Sequence, residues 1–288
     1  MRRLLPALLA AMSITWAGTA AAAPAELGNA ELEYVALGDS AAAGPLIPNQ
    51  ELMDLGCLRS TRNWPSVLAA RLGATTFRDV SCSGATTEHL TTSQLTFTGP
   101  QPPQLDALTP TTDLVTLTIG GNDIGLVGVA LGCINALPEP LGFSCKDRLT
   151  AGGDQIAAKI DAYAAEFGAG LDAIRARAPQ AEIVVVGYGT YIRPGGCHPK
   201  EPIWARDADY LQGSVHRLNT VLGKVSADHG ARFVDIEPPS VGHDVCAPIS
   251  EKWFEGLLPT SVAAPLHPNA RGMAGIGGFI AGSLESRL

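Results

Sequence analysis

Two short runs constrain this chain more than anything else in it: LVTLTI at 114–119 and EIVVVG at 182–187. Both are almost wholly apolar and rich in β-branched residues. A strand with one wet face alternates apolar and polar side chains, so an unbroken apolar run marks a strand covered on both faces. Three further β-like runs accompany them, at Leu32–Leu37, Thr75–Val80 and Arg232–Ile236. Helical patterns lie between. Asn63 is placed to cap a helix with Pro65 in its first turn, followed by Val67, Leu68 and Leu72. Ile156, Ile160, Tyr163, Phe167, Leu171 and Ile174 recur at steps of three or four. Leu211, Val215, Leu218, Leu222 and Val225 do the same, as do Met273, Ile276, Ile280 and Leu284. Such spacing lines up one apolar stripe per helix. Strand alternating with helix predicts an α/β fold, a parallel sheet with helices on both faces. Ligands of such sheets bind beyond the carboxyl ends of the strands.

The amino-terminal segment has a different character. Arg2 and Arg3 precede an apolar run from Leu4 to about Trp16, and the small residues Ala20, Ala21 and Ala22 follow. This predicts a secretory signal peptide over residues 1–22 and one domain over 23–288. The run is too short to span a bilayer comfortably, which argues against an anchor. No later segment is long and apolar enough for stable membrane insertion. No linker, low-complexity tract or repeat divides the remainder. The net charge is −8 and lysine and arginine do not cluster. That argues against nucleic acid and against an anionic membrane surface as partners. The expectation is a secreted, extracellular monomer.

Six cysteines, at 57, 82, 133, 145, 197 and 246, follow the predicted leader. An even count in an oxidising compartment reads as three disulfides, although sequence alone permits many pairings. The local choice, Cys57–Cys82, Cys133–Cys145 and Cys197–Cys246, closes the shortest loops. Zinc is the rival, through Cys197, His198, His243 and Cys246, but neither pair has the usual finger or ribbon spacing.

Three of the strands run into small-residue turns: ALGDSAAAG with Ser40, VSCSGATT with Gly84, and TIGGNDIG with Asn122. Near the carboxyl end, LHPN places His267 just before Pro268. Each turn alone most often just reverses the chain. In this order, GDS at 38–40, Gly84 in CSGAT, GGND at 120–123 and LHPN at 266–269 resemble the four blocks of the SGNH (GDS-type) hydrolase superfamily. The resemblance spans essentially the whole mature chain. It is closest to the secreted actinobacterial esterases and lipases, which carry similar CLRS, GHDVC and HPNARG segments and six cysteines. It implies a three-layer αβα sandwich around a five-stranded sheet in the flavodoxin-like order 2-1-3-4-5. One departure is Ala41, where many members have Leu after GDS; it should alter packing beside Ser40.

The chemistry fits these residue types. Acyl transfer needs a nucleophile, a base and donors aimed at the developing oxyanion. Ser40 is the expected nucleophile and His267 the base. The expected oxyanion donors are the backbone N–H groups of Ser40 and Gly84 and the side-chain amide of Asn122. Glycine lets a peptide N–H approach without a Cβ, and an amide donates where a carboxylate could not. Asp39 is expected to tie down its turn, and Asp123 to begin the next helix. Neither a metal nor another cofactor is called for.

Much of the superfamily completes a triad with an Asp three residues before the histidine. Here that position is Ala264. The backbone carbonyl of Ala264 is the expected acceptor for Nδ1–H of His267, fixing the tautomer. Asp244 or Glu255, from the long loop between Glu237 and Leu266, is the alternative. That loop also carries Trp253, Phe254, Leu257 and Leu258, which wall an acyl pocket on one reading and pack on the core on another. His89, His216 and His229 read as surface residues, and His198 and His243 as structural ones. The predicted activity is a secreted serine carboxyl-ester hydrolase acting on a small-molecule or lipid ester. A phospholipase or carbohydrate acetylesterase using the same site is the alternative, and a non-catalytic binding module the remote one.

Overall fold

The computed structural model describes residues 31–285, with the side chains of residues 53 and 54 set aside. The leader predicted over 1–22 lies outside the described residues. Seven strands and seven α-helices follow in order: β1 Glu33–Gly38, α1 Ser40–Ala43, α2 Trp64–Leu72, β2 Thr76–Asp79, β3 Gln94–Thr96, β4 Gly99–Gln101, β5 Leu114–Thr118, α3 Leu126–Leu131, α4 Cys145–Thr150, α5 Gln155–Arg177, β6 Glu182–Val186, α6 Ala205–Asp228, β7 Arg232–Val234 and α7 Ala270–Glu285. Five strands form one parallel sheet in the order β2-β1-β5-β6-β7, while β3 and β4 pair as a separate hairpin. Counted without the hairpin, this is the expected order 2-1-3-4-5.

The sheet is buried where the apolar runs are. Every residue of β5 is buried, and in β6 only Glu182 reaches solvent. Helices α2 and α7 pack together as one layer, and α5 and α6 as the other. The stripe read from the sequence is the buried face of α5: Ile156, Ile160, Tyr163, Phe167, Leu171 and Ile174. Each Leu or Ile fully withdrawn from water contributes about 1.5–3 kcal/mol before its entropy cost. That burial holds two long amphipathic helices whose isolated stability in water would be marginal. The ends are set locally. Asn63 Oδ1 accepts from Ser66 N at 3.0 Å, and Asp154 Oδ1 accepts from Ile156 N and Ala157 N.

Disulfides join Cys57–Cys82, Cys133–Cys145 and Cys197–Cys246. Oxidation of Cys197 and Cys246 together removes both thiolates from the zinc alternative. One local expectation changes: Asp123 does not begin a helix. It lies in a turn, and α3 starts at Leu126 behind Gly125. Its Oδ1 accepts from Thr87 N at 2.9 Å, so it braces the second block instead.

Candidate active site

The site gathers where β1, β2 and β5 end. Strands β1 and β5 run in register to Gly38 opposite Thr118. Gly38 adopts φ +142°, and a Cβ there would stand 2.6 Å from Thr118 O, so only glycine lets the strands close this tightly. Gln104, buried and unremarked in the sequence, clasps both polar groups of Gly38. Its Oε1 accepts from Gly38 N at 2.8 Å and its Nε2 donates to Gly38 O at 2.9 Å. The chain then turns through Asp39, whose Oδ1 accepts from Ala41 N at 2.8 Å and caps α1. Ser40 is therefore the first residue of a short helix just past the strand.

The second block is tied to the first, since Cys82 N donates to Gly38 O at 3.0 Å. Gly84 has φ +81°, a left-handed conformation that favours glycine. Gln94 Nε2 donates to Ser83 O at 2.8 Å and steadies this turn from the hairpin. In the third block, Asn122 Nδ2 donates to Ala85 O at 2.8 Å, bringing its amide beside the Gly84 turn. Among the described residues, the N–H groups of Ser40 and Gly84 donate to no protein acceptor. Two donors are thus left free in the turns that carry Ser40 and Gly84.

His267 meets Ser40 across 227 positions, with Nε2 2.8 Å from Oγ. Its other ring nitrogen lies 2.7 Å from Pro265 O. With the proton on Nδ1, the ring donates to Pro265 and leaves Nε2 to accept from Ser40. The orienting carbonyl is therefore not that of Ala264. Leu266 has φ +61°, and this left-handed residue folds the chain so that the carbonyl two positions before the histidine meets the ring. Ala264 is held elsewhere, its N–H donating to Pro45 O at 3.0 Å.

Both loop acids are engaged. Asp244 pairs with Arg193 at 3.0 Å. Glu255 accepts from Thr260, Ser261 and Asn269. Burial pushes the Glu255 carboxyl up, but those hydrogen bonds outweigh it and hold the group below its ordinary value. Glu255 braces the histidine's loop through the backbone as well, its N–H donating to His267 O at 2.9 Å. Burial lowers the pKa of His267, and the Pro265 bond opposes the shift only in part. The shift favours the neutral imidazole, the form a base requires.

A further bridge was not foreseen. Tyr188 OH donates to Asp39 Oδ2 at 2.6 Å and accepts from Gly121 N at 2.7 Å. One buried hydroxyl thus links the turn carrying Ser40 to the turn carrying Asn122. Asp39 itself is pushed up to about 7, chiefly by burial, against the bonds from Tyr188 and Ala41 and with help from Asp123.

Ser40, Asn122 and His267 open on a cavity walled by Leu126, Val127 and Ala130 of α3, Ile203, Leu211 and Val215. Gly84 is not part of that wall; it is exposed, in the turn whose Ala85 carbonyl accepts from Asn122. None of Trp253, Phe254, Leu257 and Leu258 lines the cavity. Phe254 is buried against Tyr191, Trp253 stacks on His243, and Leu258 is exposed. Of the other histidines, His216 faces Glu237, His229 faces Asp172, and His198 Nε2 lies 3.2 Å from Asn135 O. His89 closes a capping box with Thr86. Among the described residues, no group of three or more His, Cys, Asp or Glu side chains converges as metal ligands would.

Comparison with known proteins meets this geometry. The model of the GDSL-like Lipase/Acylhydrolase family matches residues 36–274. Lipase 2 of Streptomyces coelicolor is 40% identical over 285 residues, covering 94% of this chain and 93% of that protein. A lipase of Streptomyces rimosus is 32% identical over 244 residues, covering 84% and 82%. Among solved structures, the phospholipase A1 from Streptomyces albidoflavus NA297 matches with a TM-score of 0.72 at 28% identity, over 90% of this chain and 100% of that one. The extracellular lipase from Streptomyces rimosus matches with a TM-score of 0.69 at 29% identity, over 88% and 99%.

Proposed function

Because this chain belongs to the GDSL-like lipase/acylhydrolase family, and its reaction is the hydrolysis of a carboxylic ester, we propose that Ser40 is the nucleophile and His267 its base. The carrying observation is the 2.8 Å contact between Ser40 Oγ and His267 Nε2, beside an apolar cavity. Oγ attacks the ester carbonyl as its proton passes to Nε2. The tetrahedral oxyanion is held by the N–H groups of Ser40 and Gly84 and the amide of Asn122. Collapse expels the alcohol, which takes the proton from the imidazolium. Water then cleaves the acyl-enzyme by the same steps in reverse order. The Pro265 carbonyl orients the ring throughout. A neutral acceptor stabilises the imidazolium less than a carboxylate would, so this is a serine–histidine dyad rather than a triad.

The cavity suits an alkyl chain. Beyond the reacting end its wall is mostly apolar, aliphatic side chains with Tyr188 and Tyr191, and Glu201 and Gln212 are the polar members; such a surface gains by covering an apolar acyl group. The substrate is therefore an ester with a hydrocarbon acyl chain rather than an acetylated sugar. Similarity to the phospholipase A1 from Streptomyces albidoflavus favours testing a phospholipid beside a simple ester. Export of the chain, with residues 1–22 removed, is supported by the three disulfides and by the extracellular relative. The test is hydrolysis of p-nitrophenyl esters from acetate to palmitate, and of phosphatidylcholine, by the wild type, Ser40→Ala and His267→Ala. Each variant should lose roughly 10⁶-fold in kcat. Equal rates in Ser40→Ala and the wild type would overturn the mechanism. A rate that falls steadily beyond acetate would overturn the acyl-chain reading.

A further inference from the structure

Away from the reacting groups, most polar side chains in the cavity wall are spent on the protein itself. Asp39 accepts from Ala41 N and Tyr188 OH. Gln212 Oε1 accepts from Tyr191 N and Ile192 N, and its Nε2 donates to Gly189 O and Glu237 Oε1. Glu201 differs. It is 5% exposed and lines the same cavity as Ser40 and His267. Its Oε2 accepts from Leu257 N at 3.0 Å. Among the described residues nothing donates to its Oε1. A buried carboxylate oxygen without a donor is costly, and folded proteins keep few of them.

Glu201 is held in place from two directions. The Cys197–Cys246 disulfide pins the segment before it, as does Lys200 Nζ, which donates to Cys246 O and Ala247 O. A Cβ on Gly256 would stand 1.8 Å from Oε1, so glycine there leaves the carboxylate its place. Gly256 O in turn accepts from Leu266 N, and Glu255 N donates to His267 O. Glu201 therefore sits against the segment that carries the histidine. A departing alcohol takes its proton from that histidine, so the alcohol portion of the ester lies on this side of the cavity. Tyr191 lines the cavity too, and its hydroxyl bonds to no group among the described residues. Burial and the neighbouring Asp39 push its phenol up, so it keeps its proton.

From these free groups we infer that Glu201 selects the alcohol portion of the ester, accepting a hydrogen bond from a free hydroxyl beside the ester oxygen, as in a partly acylated polyol. The inference rests on the reading of Ser40 and His267 as nucleophile and base. A hydroxyl both donates and accepts, so it satisfies Glu201 and suits the Tyr191 phenol. A quaternary ammonium group would offer Oε1 a charge but no hydrogen, and would leave the phenol unanswered.

The experiment compares three esters with one acyl group: hydroxyethyl, methoxyethyl and choline butyrate. The wild type should cleave the hydroxyethyl ester with a kcat/KM about ten- to a hundredfold above the methoxyethyl ester, the worth of a hydrogen bond to a charged group. In Glu201→Gln, Leu257 N still needs an acceptor, so the amide oxygen stays with it and the amide nitrogen, a donor, faces the cavity. The preference should then fall by about tenfold or more. A merely structural role would slow all three esters alike and leave their ratios unchanged. Equal wild-type rates on the hydroxyethyl and methoxyethyl esters would overturn the subsite, whether or not the variant folds. So would an unchanged ratio in Glu201→Gln, a wild-type preference for the choline ester over the hydroxyethyl ester, or cleavage of p-nitrophenyl butyrate with none of the three. Failure of the wild type on p-nitrophenyl butyrate as well would instead strike the underlying reading.

Discussion

Replacing Tyr188 with phenylalanine removes one oxygen and keeps the ring. Tyr188 is 3% exposed, so water does not readily take the oxygen's place. Two buried bonds disappear, from Gly121 N at 2.7 Å and to Asp39 Oδ2 at 2.6 Å. A buried N–H left without a partner costs about 1–3 kcal/mol, and the bond to a charged group contributes about 1.5–3 kcal/mol. The two effects share a relaxation, so a loss of about 3 kcal/mol in unfolding free energy is expected.

The loss depends on pH. An Asp raised to about 7 in the fold binds its proton more tightly folded than unfolded. Its contribution is therefore most favourable in acid and falls as pH rises toward about 7. The Tyr188 bond favours the ionised form, so its removal raises Asp39 further. The penalty of Tyr188→Phe is smallest in acid, where both proteins hold the proton, and grows as pH rises through about 7. In kinetics, the turns carrying Ser40 and Asn122 lose their shared brace, and misplacement on that scale costs roughly ten- to a hundredfold in kcat. KM should barely move, because the apolar wall is intact. The assay pairs urea unfolding, disulfides intact, at about pH 5.5 and about pH 8.5 with kcat and KM for p-nitrophenyl butyrate. A variant that loses stability yet keeps kcat within about twofold would refute the positioning role. Equal penalties at both pH values would refute the linkage to Asp39.

Asn122→Ala should lower kcat by about a hundred- to a thousandfold at similar KM, and a loss under about tenfold would remove the amide from the oxyanion site. The acid limb of kcat/KM should lie below 6.5, because burial lowers the pKa of His267 and the neutral ring is the active form; a limb at or above 6.5 contradicts this. Ala264→Asp should leave kcat within about threefold, since Nδ1 already has an acceptor at 2.7 Å, whereas a tenfold gain would show that a carboxylate displaces the Pro265 carbonyl.

The layered fold was legible because burial on both faces of a strand and on one stripe of a helix leaves a periodic record in the residues themselves. The five strands of the parallel sheet were read to within two residues and the stripes of α5 and α6 residue by residue, whereas the short β3–β4 hairpin carried no apolar run to reveal it. Ser40, Gly84, Asn122 and His267 stood out only because their four blocks, taken in order, resemble those of the SGNH hydrolases. Each sits in a short block whose glycines, small residues or proline dictate a local turn.

Whether Trp253, Phe254, Leu257 and Leu258 wall the cavity or pack on the core stayed open in the sequence, because apolar content says that a segment is buried, not against what. Phe254 and α3 are equally apolar, and only packing sends the first to Tyr191 and the second to the cavity. By itself, then, the amino-acid order determined the periodic elements, their layering and the turns that present the reacting groups. The tertiary structure alone decided which carbonyl holds the histidine, that Gln104 clasps Gly38, and that Tyr188 joins two turns lying 149 and 67 positions from it. Local propensity acts over a few residues and is written in neighbouring side chains. A hydrogen bond between distant segments depends on the sum of every packing choice between them, and no short stretch of sequence records that sum.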